Sequence, residues 1–144
     1  MPIANYTTTV SIDRSINEIQ QRLGKAGANA ILIEYDAGEP NAVSFAIELG
    51  SSPVHFRLPA KPEGVHHALA GTRVEPRYRT EEHAKKVAWR IVRDWVRAQL
   101  ALVEAEQATL AEAMLPYAIT NTGRTLYEEL EQRPGALLAL GSGE

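Results

Sequence analysis

Between Ala30 and Leu58 the chain holds three short strand-like runs separated by turn-forming residues, two of them alternating apolar with polar residues, and few folds accommodate that pattern. Ala30 to Asp36 (AILIEYD) is rich in β-branched and aromatic side chains and reads as a strand. Asp36-Ala37-Gly38-Glu39-Pro40-Asn41 carries turn chemistry and leads into Ala42 to Leu49, where Val43, Phe45, Ile47 and Leu49 alternate with Ser44, Ala46 and Glu48. After Gly50-Ser51-Ser52-Pro53, the residues Val54, Phe56 and Leu58 alternate with His55 and Arg57. A period of two sends successive side chains to opposite faces, so each strand has one core face and one wet face. Strands joined by such tight turns imply an antiparallel meander.

The flanking segments read as helices. Asn5 to Ser11, with β-branched Thr7, Thr8, Thr9 and Val10, predicts an opening strand. Ser15 and Glu18 match a Ser-x-x-Glu capping box, followed by Ile16, Ile19, Leu23 and Ala26 at helical spacing until Gly24 and Gly27 weaken the pattern. Pro62 stands where a short helix over Glu63 to Ala70 begins, and Arg73 to Arg79, with Pro76 inside it, reads as an extended connector. Thr80 caps the longest element, predicted to run from Glu81 to about Gln107. On a helical wheel Ala84, Val87, Ala88, Ile91, Trp95, Ala98 and Leu102 share one face, and Lys86, Arg90, Arg93 and Arg97 form a stripe opposite. Trp95 falls at the centre of the apolar face and Trp89 at its margin. Two more capping boxes, Thr109-x-x-Glu112 and Thr125-x-x-Glu128, start two short helices. The order β-α-β-β-β-α-α predicts an α+β domain over residues 1–133, a small, mainly antiparallel sheet packed by helices and not an OB barrel, with a fraying tail over 134–144. A chain of 144 residues suits one such domain.

Composition removes several classes of chemistry. There is no cysteine, which excludes disulfides, thiolate metal sites and cysteine nucleophiles. The N-terminus carries no basic and apolar targeting pattern, and no apolar run approaches the roughly 18 residues of a membrane span, so a soluble, cytoplasmic protein is expected. Eleven arginines against four lysines suggest a GC-rich or heat-adapted source and a thermostable protein. Glu63 and His66 form a single Glu-x-x-His pair where a dinuclear carboxylate centre needs two, so no metal is expected. Neither Gly-x-Ser-x-Gly nor a phosphate-binding glycine loop is present, and an enzyme or a cofactor is not expected either.

The charge is segregated. Residues 1–72, 73–97 and 98–144 carry formal charges of −2, +4 and −5, so the net −3 conceals a dipolar molecule. The basic segment interleaves its arginines and lysines with Tyr78, Trp89 and Trp95. Two readings fit. Lys86, Arg90, Arg93 and Arg97 are either the solvated side of an amphipathic helix with Trp89 in the core, or a phosphate track with Trp89 or Tyr78 stacking on bases. The candidate nucleic-acid-binding residues are Arg57, Arg77, Tyr78, Arg79, Lys85, Lys86, Trp89, Arg90, Arg93 and Arg97, with His55 and Lys61 extending the track across the open sheet face. Arginine suits the task because its planar fork binds phosphate bidentately and also stacks.

Several stretches carry a resemblance: Asn5-Tyr6-Thr7-Thr8-Thr9, Ala30 to Asp36, Phe56-Arg57-Leu58-Pro59, KKVAWRIVRDWVRAQLALVEA over 85–105, and MLPYAITNTGRTLYEELEQ over 114–132. Together they resemble a family of small proteins of tailed phages and mobile elements, some of which, from phages of thermophilic bacteria, are associated with single-stranded-DNA binding through a fold other than the OB barrel. The resemblance implies a sequence-tolerant single-stranded-DNA-binding protein of phage replication or recombination. A phage protein-interaction module that inhibits or redirects a host protein is the alternative, and a homodimer is compatible with either.

Overall fold

The computed structural model describes residues 2–135. The predicted meander is its centre: β1 (Ala30–Asp36), β2 (Glu39–Leu49) and β3 (Ser52–Pro59) form an antiparallel sheet in the order β1-β2-β3. The first turn is tighter than the turn chemistry implied. Ala37 (φ 52°) and Gly38 (φ 81°) alone join Asp36 to Glu39, the double positive-φ geometry that matches the twist of a hairpin. β2 therefore begins before Ala42. Pro40 is tolerated there because the ladder to β3 begins only at Ala42, paired with Pro59, so its missing N–H interrupts no bond on that side. Asn41 is the extra residue of a bulge, since Glu34 pairs with Ala42 but Tyr35 with Pro40, and its carbonyl accepts from the Ala60 N–H at 3.0 Å.

The alternation sorts the two sheet faces as the sequence predicts. Val43, Phe45, Ile47, Phe56 and Leu58 are buried on the inner face, and Phe45 stacks on Phe56 with ring centroids 5.0 Å apart. His55 and Arg57 lie on the outer face with Ser44, their cross-strand neighbour. The edge beyond β3 is covered: Ala118 bridges Phe56, and the Ile119 N–H donates to the His55 carbonyl at 2.8 Å.

Among the described residues five α-helices accompany the sheet: α1 (Ile12–Lys25), α2 (Pro62–Ala70), α3 (Glu81–Glu104), α4 (Leu110–Met114) and α5 (Leu126–Gln132). α3 packs against α1 and α2. Thr80 caps α3, and the boxes Thr109/Glu112 and Thr125/Glu128 are formed in both directions, as predicted. The cap of α1 is Ser11 rather than Ser15, its hydroxyl accepting from the Arg14 N–H at 3.2 Å. Both serines suit a cap. The helix starts a turn earlier, which lets Ile12 pack beside Ile16 and Ile19 against the core, and leaves Ser15 buried inside the helix.

The α+β class stands, but the segment before α1 is a turn instead of an opening strand. Asn5 adopts φ 66°, its carbonyl accepts from the Thr8 N–H at 2.9 Å, and the Thr8 hydroxyl accepts from the Val10 N–H at 3.1 Å. These local bonds satisfy the backbone without a sheet partner, and they override the β preference of the threonines. The expected tail falls mostly outside the described residues, beginning at 136. No helix among the described residues is long and apolar enough to cross a membrane.

Phe56 is 1% exposed at the centre of this core. Phe56→Ala is expected to cost about 3–5 kcal/mol, read as a lower urea midpoint at unchanged slope.

Candidate nucleic-acid interface

The position of α3 decides which basic groups reach solvent. α1 and α2 both pack against the helix, on which Ala84, Val87, Ala88, Trp89, Arg90, Val96 and Leu100 are buried. Two contacts widen the buried arc beyond one apolar stripe. The arc reaches the basic stripe, burying Arg90 and covering much of Arg93.

Arg90 is 8% exposed, and its Nη1 donates to Glu18 Oε2 at 2.6 Å and to Ser15 Oγ at 3.2 Å, both on α1. Arg93 is also largely covered. Its Nε lies 3.3 Å from Asp94 Oδ1, close enough to ion-pair but off the N–H direction, so this buried nitrogen makes no hydrogen bond among the described residues. Asp94 in turn accepts from Asn5 Nδ2 at 2.7 Å, tying the N-terminal turn to α3. Trp89 is 2% exposed, which removes it as a base-stacking platform. Arg90 is thus a structural member of the α1–α3 contact and Trp89 a core residue, while Arg93, largely covered, pairs within α3 with Asp94. Conversely, the centre of the predicted apolar face is partly open. Trp95 is half-buried, its ring edge-on to Tyr117 at 5.4 Å, while Ala98 and Leu102 are exposed past the reach of α2.

Other candidates are held by acids. Arg57 Nε lies 3.1 Å from Glu34 Oε2, and Nη1 donates to the Gly123 carbonyl at 3.3 Å. Ser44 also donates to Glu34, and this bond first, then Arg57, holds the Glu34 carboxyl below its ordinary pKa. Lys85 Nζ bridges Glu82 at 3.0 Å and Glu39 at 3.2 Å, and the bond to Glu82, then that to Glu39, raises its pKa. Arg57 lies on the outer sheet face, and Lys85 is held between α3 and β2 by its two carboxylates. Arg97 is exposed but lies sixteen residues beyond Glu81, roughly 24 Å along the helix axis.

What the structure does assemble is the corner between the connector and the start of α3. Pro76–Tyr78 forms a 3-10 turn rather than extended chain. It presents Arg77 with its guanidinium carbon 4.7 Å from the Tyr78 ring centre, while Nε pairs with Glu75 at 2.9 Å in an exposed contact. Arg73 and Arg79 are exposed on either side, with no ion pair among the described residues. The Tyr78 ring is supported edge-on by Tyr6 at 5.5 Å and by His83 at 5.2 Å, and a His83 ring nitrogen bonds the Tyr6 carbonyl. The Arg79 carbonyl is bonded to His66 Nε2 at 3.1 Å, fixing the connector to α2. Lys86, half-buried and unpaired among the described residues, lies one turn into α3. Tyr6 and His83 are the members that sequence reasoning missed; the aromatic pair Tyr6 and Tyr78 is 72 positions apart in the chain.

Among the described residues no group of three or more histidine, aspartate or glutamate side chains is placed to hold a metal ion. Comparison with protein-family models, with curated proteins and with solved structures gives no match.

The Arg90 contact is testable as structure. Arg90→Ala strands the Glu18 carboxylate and is expected to destabilise the fold by about 3 kcal/mol in urea unfolding. The hydrogen bond from Arg90 holds the Glu18 pKa below its ordinary 4.5. The contribution is therefore complete above that value and lost as pH falls through the lowered one. Stability should decline less steeply from about pH 5 to pH 3 in Glu18→Gln than in the wild type.

Proposed function

We propose that the chain binds single-stranded DNA, without strong sequence preference, through the Arg73–Arg79 corner rather than along α3. The observation that carries this reading is the exposure of Arg73, Arg77 and Arg79 around the braced Tyr78 ring. Arg73 and Arg79 supply phosphate neutralisation. Arg77, laid over Tyr78, offers a planar cation to a base or a phosphate: a guanidinium stacked on one face keeps its other face open, and its exposed pairing with Glu75 is weak enough for a phosphate to replace. Lys86 continues the positive surface onto the first turns of α3. The net charge of −3 disfavours indiscriminate coating of duplex, and a single strand exposes base faces that a small aromatic corner is able to use. On the resemblance above, the setting is phage replication or recombination.

A second reading has its own support. The apolar stripe of α3 continues past α2 as Trp95, Ala98 and Leu102, beside a groove lined by Leu58, Ile91, Val92 and Tyr117 with Lys61 at its rim. Surface of that kind favours a protein-interaction module.

Fluorescence anisotropy of labelled oligo-dT separates the two. Arg77→Glu/Arg79→Glu is expected to reduce affinity at least tenfold, whereas Arg97→Glu changes it little. With about three phosphates engaged, log affinity should fall against log salt with a slope of about −2. Absence of binding at low salt, or equal binding by the Arg77/Arg79 double variant, overturns the proposal and leaves the interaction module.

A further inference from the structure

We infer that β1 is a self-association edge, pairing antiparallel with β1 of a second copy about a twofold axis at Leu32 to give a continuous six-stranded sheet. The inference is independent of the nucleic-acid reading. The two edges of the sheet are treated differently. The β3 edge is occupied by the 118–126 segment, whereas no backbone or side-chain group outside β2 hydrogen-bonds the main chain of residues 31–36 among the described residues. An unpaired edge is a template for another strand, and monomeric proteins blunt it with lysine, proline or inward charge. Ala30–Asp36 contains no lysine, arginine or proline, and it exposes Leu32 at 64% and Tyr35 at 65%.

The occupant follows from the strand's own symmetry. The bulge after Glu34 limits the regular ladder to Ala30–Glu34, whose midpoint is Leu32. A twofold there sets Leu32 against Leu32 of the partner, Ile31 against the partner's Ile33, and Ala30 against the partner's Glu34. Apolar side chains meet apolar ones at Leu32 on one face and at the Ile31–Ile33 pairs on the other. Neither Glu34 nor Asp36 meets its counterpart, which removes the like-charge penalty of a direct cross-strand pair. Glu34 is also already occupied by Ser44 and Arg57, so no unpaired carboxylate enters the junction. The half-buried Ile31 and Ile33 would join the two inner faces, extending each apolar core across the axis. A pairing this short buries less than the roughly 1,200 Å² of a standard interface, so the dimer should be concentration-dependent.

Because the chain has no cysteine, Leu32→Cys introduces a single thiol. Residues directly opposed across an antiparallel pair lie about 4.5–5.5 Å apart, within disulfide range. Mild oxidation of Leu32→Cys is expected to give a covalent dimer on non-reducing gels, while Leu115→Cys, exposed but away from the edge, stays largely monomeric. Sedimentation equilibrium is expected to show the wild type dimerising as its concentration rises. Leu32→Lys should remain monomeric under the same conditions, with the melting temperature of the dilute, monomeric wild type. A wild type that is monomeric throughout, a Leu32→Lys that still dimerises, or equal cross-linking of the two cysteine variants overturns the inference.

Discussion

Helix α3 is held along one flank by α1 and along another by α2, and that double contact decides which of its side chains meet water. A helix lying on one surface buries a single stripe and solvates the rest. Here the two flanking helices enclose Trp89 and Arg90 as well as Ala84, Val87 and Ala88. Enclosure of Arg90 then demands a partner, since an unpaired guanidinium in such a place is costly. Glu18 and Ser15 supply it from the facing helix. The same arrangement leaves the far half of the apolar stripe uncovered, because the 9-residue α2 is too short to follow the 24-residue α3.

The electrostatic character changes accordingly. In the sequence the segment 73–97 is a strongly basic block. In the fold Arg90, Arg93, Lys85 and, outside the block, Arg57 are each matched by a carboxylate in a partly or fully covered contact, whereas the Arg77–Glu75 pair is exposed. The positive charge left exposed is concentrated in the Arg73–Arg79 connector, where a 3-10 turn and the Tyr6–Tyr78–His83 cluster give it a defined shape.

The meander was legible because a period of two has one physical meaning, opposite faces of a strand, and because short turn segments leave antiparallel pairing as the short route. Helix starts at Thr109 and Thr125 were legible for a similar reason: a hydroxyl and a glutamate three residues apart satisfy the first free N–H groups locally, and at Thr80 the hydroxyl alone does so, accepting from the His83 N–H. Ser15 shows the limit of that signal. Its spacing to Glu18 matches a cap, yet both side chains instead meet Arg90, and only a neighbouring helix distinguishes the two uses. The threonine run after Asn5 failed in the same way, since strand preference has effect only where a strand partner exists.

By itself, then, the sequence determined the α+β class, the three-stranded antiparallel sheet with its inner and outer faces, and most helix caps, all of which depend on interactions within a few residues. Only the tertiary structure decided that Trp89 and Arg90 are interior, that Tyr6 and His83 brace Tyr78, and that β1 rather than β3 carries the open edge. Those outcomes depend on groups as far apart as Ser15 and Arg90, and on which flank a neighbouring helix takes. A helical wheel records the direction of each side chain but not what lies opposite it.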